Sequence, residues 1–122
     1  MKQLLLVFVG GGFGSVLRFV IGKLLHKPTW EIPLGTLAIN VVGSFIIGIV
    51  LGIAIKNNSH YNNFSLLLAT GFCGGFTTFS AFTYENYTFL KNGDFMNFAL
   101  YTIGSIVLGI IAVLLGLFLV KT

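Results

Sequence analysis

The sequence predicts an all-α membrane protein: a single domain of four transmembrane helices with a broken third helix, assembling as an antiparallel dual-topology homodimer. Three observations lead there. The first is composition. Of 122 residues, 56% are apolar and only 8% charged, against roughly 25% charged in a soluble domain, and the mean hydropathy is +0.97. A water-coated globule and a disordered chain are both excluded, the latter because disorder needs low hydrophobicity and high charge. The second is length. A spanning helix takes about 20 apolar residues, so four use about 80. Five would leave almost no connections, and three would strand an apolar stretch. The third is an even division of basic residues between the two membrane faces, developed below.

The first span covers about 4–25 and carries Gly10, Gly11, Gly12, Gly14 and Arg18. It lacks a small-residue cleavage site after a short apolar core, so it reads as a retained helix and not a signal peptide. The loop over 23–33 holds Pro28 and Pro33, with Trp30 as an interface anchor. The second span, about 34–55, carries Thr36, Asn40, Gly43, Ser44, Gly48 and Gly52, and 56–63 is a polar loop. The third span, about 64–87, has an unusual middle in which Gly71, Gly74 and Gly75 precede the β-branched Thr77 and Thr78. Asn92-Gly93 marks a short turn, and the fourth span covers about 95–120.

With four spans, Lys2, Lys56 and Lys121 share one face, and Lys23, Lys27 and Lys91 the other. Orientation follows the excess of Lys and Arg near span ends, so a tie leaves no preferred orientation. Copies inserted both ways can pair about a two-fold axis lying in the membrane, and closed two-fold pairing is the commonest oligomer symmetry. A weak bias hidden by the free N-terminus is the plainer alternative. The net charge of +4 is scattered, without the gathered basic face that nucleic acid requires. The single cysteine, Cys73, permits neither an intrachain disulfide nor a multi-cysteine metal site.

Glu31, Glu85 and Asp94 fall in loops or near span ends, and His26 and His60 in loops. Proton-coupled transport relies on buried Asp, Glu or His relays, so that chemistry is missing. Catalysis lacks a base, a nucleophile pair and a metal set, and the chain is not expected to be an enzyme. What remains inside is neutral. Thr36 and Asn40, four apart, share a face of the second span, and Tyr101 and Ser105 share a face of the fourth. With Thr77, Thr78 and Ser80 they form either interhelical glue or a polar track. The glycines of the third span allow two readings. Each Gly costs a helix about 1 kcal/mol against Ala, favouring a break, which at membrane depth survives only in a protein-buried or cavity-lining setting. The other reading is a close helix crossing through small residues. Phe79 and Phe82, three apart, project from one face, an aromatic stripe that reads either as packing or as a wall for an anion. Their positive ring edges would attract a small anion weakly enough to release it, as conduction requires. Arg18 at a helix centre would cost about 2.5–3.5 kcal/mol. Near a span end it either snorkels to the interface or draws anions to a vestibule.

These residues together resemble the Fluc/CrcB fluoride channels of microbes. The resemblance is carried by Gly10-Gly11-Gly12-Phe13-Gly14 running to Arg18-Phe19, by Gly35-Thr36-Leu37-Ala38-Ile39-Asn40 with Gly43-Ser44-Phe45, by the run from Gly71 to Phe82 with Glu85, and by Gly104-Ser105. It covers all four spans, and Gly-Phe-Cys-Gly-Gly-Phe-Thr-Thr-Phe-Ser-Ala-Phe is highly specific. The resemblance implies a passive, selective fluoride channel in the cell membrane, built as an antiparallel homodimer with two pores, which exports cytoplasmic fluoride and protects the cell from its toxicity. It places Phe79 and Phe82 as the ring-edge pair, Asn40 as the pore-lining carboxamide and Arg18 in a vestibule. Thr36, Ser80, Tyr101 and Ser105 fall along a polar track, and Glu85 near a pore end. A structural sodium ion at the dimer interface would be held by the backbone carbonyls of Gly74 and Thr77 from both subunits. Ala81 departs from the family, many members of which have Thr there. Fluoride as the ion is implied by the resemblance alone. The partners expected are therefore fluoride, sodium, the lipid bilayer and a second copy, and no nucleic acid. Two other classes fit the size: a small dual-topology multidrug-type transporter, which requires an embedded carboxylate that the first span lacks, and a non-transporting membrane assembly subunit.

Overall fold

The structure, a computed structural model, describes residues 1–26, 32–57 and 62–121. Trp30, Pro28, Lys27, Glu31 and His60, read above as loop residues, lie outside the described residues. The chain is all-helical among those described. Helix α1 spans Lys2–Leu24 and α2 spans Leu34–Lys56. Helix α3 covers 63–76, a turn Asn63–Ser65 followed by π-helical turns over Leu66–Cys73 and a last turn Gly74–Phe76. Helix α4 is Phe79–Lys91 and α5 is Phe95–Lys121.

Four segments are long and apolar enough to cross a membrane, α1, α2, α5 and the interrupted pair α3–α4. Helix α2, at 23 residues, is about 35 Å long, against a hydrocarbon core of about 30 Å. Many large apolar side chains point outward, among them Phe8, Phe13, Ile103, Ile110, Leu114 and Phe118. That surface is incompatible with water and suits lipid. The chain is a multi-pass membrane protein.

The third span breaks at Thr77 and Thr78, whose backbones are extended (φ −78°, ψ 158° and φ −147°, ψ 117°). Gly71, Gly74 and Gly75 stay helical, so both readings of that segment apply, each to different residues. Gly71 and Gly75 make the crossing, while a Cβ on Gly74 would meet nothing within 4 Å. A Cβ on Gly10 would run into the Leu67 carbonyl oxygen, one on Gly14 into that of Phe72, and one on Gly75 into that of Gly11. Helix α1 therefore lies backbone to backbone on α3. The threonines make the break. They are β-branched and lose side-chain freedom in a helix, and Thr78 serves instead as the N-cap of α4, its Oγ1 accepting from the Ala81 amide at 3.1 Å. Helix α2 packs on α5 by the same small-residue device. A Cβ on Gly48 would stand 2.5 Å from the Val113 carbonyl oxygen, and one on Gly116 2.5 Å from that of Phe45.

Only Asn92 to Asp94 separate α4 from α5. Gly93 adopts φ 72°, the left-handed geometry that glycine supplies without steric cost. Gly93 N–H bonds the Leu90 carbonyl and Asp94 N–H the Phe89 carbonyl, closing α4 in a Schellman motif. Asp94 then starts α5, its carboxylate accepting from the Asn97 amide at 3.3 Å.

Candidate functional site

The break frees backbone groups, and side chains from neighbouring helices take them up. Asn40 on α2 does most of this. Its Oδ1 accepts from the Thr78 amide at 2.8 Å and its Nδ2 donates to the Thr78 carbonyl at 3.1 Å. The carboxamide thus pairs with the peptide of Thr78 as another peptide would, leaving one N–H of Nδ2 unspent by these bonds. On the opposite flank, Arg18 Nε donates to the Gly75 carbonyl at 3.1 Å, and Ser15 Oγ to the same oxygen at 3.4 Å. Arg18 therefore ties α1 to the last turn of α3. Ser15 was not singled out in the sequence, although its place one turn before Arg18 puts the two on one face.

The four carbonyls from Gly74 to Thr77 lose their helical donors at the break, and Arg18 and Ser15 take up that of Gly75. The Thr78 amide, four residues on from Gly74, is held by Asn40, and the Ala81 amide, four on from Thr77, by Thr78 Oγ1. The Gly74 and Thr77 oxygens are thereby released as neutral, hard ligands. Thr77 Oγ1 turns back to donate to the Cys73 carbonyl at 2.8 Å.

Two cavities flank the break, both lined by Thr78. One, of about 670 Å³, is lined by Arg18, Lys23, His26, Thr36, Glu85 and Thr78, with apolar walls from Phe19, Leu34, Ile39 and Phe89. The other, of about 470 Å³, is lined by Asn40, Gly74, Thr77, Thr78, Phe79, Phe82 and Ser105, with Ser44 and Thr70 beside them. Thr36 and Asn40 share a helix face, as their spacing predicts, but open into different cavities.

Glu85 accepts hydrogen bonds from two other helices. Placed by sequence near a span end, it is half-buried among helices. Thr36 Oγ1 donates to its Oε2 and the Tyr101 hydroxyl to its Oε1, both at 2.7 Å. Three elements converge on one carboxylate, a juxtaposition that spacing within a helix cannot reveal. Tyr101 is 2% exposed, wedged against Phe82 at 5.1 Å and edge-on to Phe89 at 6.0 Å between ring centroids.

Phe79 and Phe82 lie 6.0 Å apart, tilted by 36°. Phe79 is 75% exposed and forms an outer wall of the second cavity. Ser80 is exposed, its Oγ 3.2 Å from that of Thr78. Ser105 Oγ is buried without a hydrogen-bond partner, an orphan that a passing ligand would satisfy. Among the described residues no group of three or more His, Cys, Asp or Glu is placed to hold a metal ion, so a cation here would depend on carbonyl oxygens.

The family described as "CrcB-like protein, Camphor Resistance (CrcB)" matches residues 5–117. A protein of Gloeothece citriformis named "Fluoride-specific ion channel FluC" is 50% identical over 123 residues, covering 99% of this chain and 98% of its own. Proteins of the same name from Phocaeicola vulgatus and Azobacteroides pseudotrichonymphae are 45% and 43% identical, each covering 98% or more of both chains.

Proposed function

The chain belongs to the CrcB-like family, and on that premise we propose that it is a passive, selective fluoride channel of the cell membrane. The observation that carries the reading is the pair of cavities flanking a break in a membrane-spanning helix, both lined by Thr78, among hydroxyls, a carboxamide and phenyl rings. Relatives that match almost end to end are named for fluoride. Fluoride is small and a strong hydrogen-bond acceptor, so O–H and N–H donors replace its hydration shell better than that of a larger halide. Phe79 and Phe82 offer ring edges to it along one wall, and Ser105 offers its unpartnered hydroxyl. Thr36, Ser80 and Tyr101 lie along the polar track, the protons of Thr36 and Tyr101 given to Glu85, which lines the same cavity as Arg18. Arg18 draws anions into that vestibule. The chain folds as a single four-helix domain in which both cavities are built.

Two copies pair antiparallel, giving two pores, one per subunit. The balanced lysines support insertion in both orientations. Gly74 and Thr77 support a sodium ion between the copies: two released carbonyls from each subunit give four oxygens, which replace a cation's water as carbonyl rings do in other channels. Bound there, sodium supplies positive charge at the dimer centre. Fluoride leaves the cell down its electrochemical gradient, with about 2.3 kcal/mol per charge per 100 mV available from the membrane potential, and cytoplasmic fluoride toxicity is relieved. A fluoride electrode reads the test. Purified protein in liposomes is expected to release fluoride and retain chloride, and efflux no faster than from empty vesicles overturns the reading.

A further inference from the structure

Among the described residues, Thr78 alone lines both cavities. Resting on the fluoride-channel reading, we infer that the Thr78 hydroxyl is the donor that passes the anion from one cavity to the other, and that Ser80 positions it.

The Thr78 backbone has no group left to offer, since Asn40 takes both its N–H and its carbonyl. Its Oγ1 accepts the Ala81 N–H at 3.1 Å, which occupies one of two acceptor positions. Ser80 Oγ stands 3.2 Å away, where either oxygen could donate. Two hydroxyls carry two protons and spend one on their mutual bond. When Ser80 donates, both acceptor positions of Thr78 Oγ1 are filled, and the Thr78 proton must point away from both neighbours. This is the arrangement that an approaching anion selects. The capping bond holds the oxygen at the start of α4, so the donor is fixed in place before the ion arrives.

The test compares fluoride efflux from liposomes for four variants. Thr78→Ser keeps the cap and the donor. Thr78→Asn keeps an acceptor for the Ala81 amide and supplies an amide proton. Both are expected to conduct within about threefold of wild type. Thr78→Asp keeps the cap without a donor at neutral pH, and Thr78→Val removes both. Each is expected to lose about tenfold or more, the scale of one hydrogen bond to a charged group. The capped Asp and Asn variants decide the matter should Val fail to fold. Wild-type rates in the Asp or Val variant, or loss in Ser together with Asn, overturn the inference. Wild-type protein that releases no fluoride overturns the channel reading instead, so the two failures are told apart.

Discussion

At the residue scale, Asn40 does for the break what a peptide group does inside a helix. It meets one backbone donor and one acceptor of Thr78 with good geometry. Buried backbone groups left unpaired cost about 1–3 kcal/mol each. Asn40→Leu, similar in volume but unable to bond, is therefore expected to lower stability by about 2–5 kcal/mol, read as a lowered midpoint of thermal unfolding in detergent, and to abolish fluoride efflux. The aromatic pair separates two effects. Phe79 is largely exposed, so Phe79→Ile should lower flux with stability nearly unchanged. Phe82 is packed on Tyr101, so Phe82→Ile should lower both. Normal flux in the two variants would remove ring edges from the mechanism. Much of this neighbourhood was legible in the sequence as types and spacings: Thr36 with Asn40, Phe79 with Phe82, Tyr101 with Ser105. The partners of Glu85 were not, because hydrogen bonds between α2, α4 and α5 leave no periodic trace within any one of them.

At the scale of elements, the glycine runs are seams. Helix α1 approaches α3 so closely that a methyl group on Gly75 would meet the Gly11 carbonyl, whereas one on Gly12 would meet nothing within 4 Å. Gly75→Ala should cost about 1–3 kcal/mol through overpacking. Gly12→Ala should be neutral or stabilising by up to about 1 kcal/mol, from helix propensity. Thermal unfolding of the two variants checks the contrast, and equal effects would contradict the packing. Four membrane-length helices and an interruption in the third were readable from hydropathy and glycine content. The position of the break was not. Propensity points to the residues least fond of helix, Gly71, Gly74 and Gly75, but all three stay in helical turns, Gly71 and Gly75 against α1. The chain opens instead at Thr77 and Thr78, where a hydroxyl can cap the next helix.

At the scale of the whole molecule, the distribution of charge decides orientation. Lys2, Lys56 and Lys121 balance Lys23, Lys27 and Lys91, and short-loop basic residues set orientation. A variant with two lysines added beside Lys2 and another with two added beside Lys91 should each insert one way. Fluoride efflux from cells is expected to be lost in each alone and restored when the two are made together. Full activity of either biased variant alone would exclude the antiparallel pair. The patch that Asn40 lays over Thr78 also constrains motion. Turning α2 about its axis by a single residue, roughly 100°, would unhook both bonds and strand two polar groups in oil. A wall stitched in this manner resists swinging, so if the chain conducts as proposed, traffic is expected to proceed by an ion hopping along a stationary lining, paced by the depth of each resting place and not by the protein's breathing.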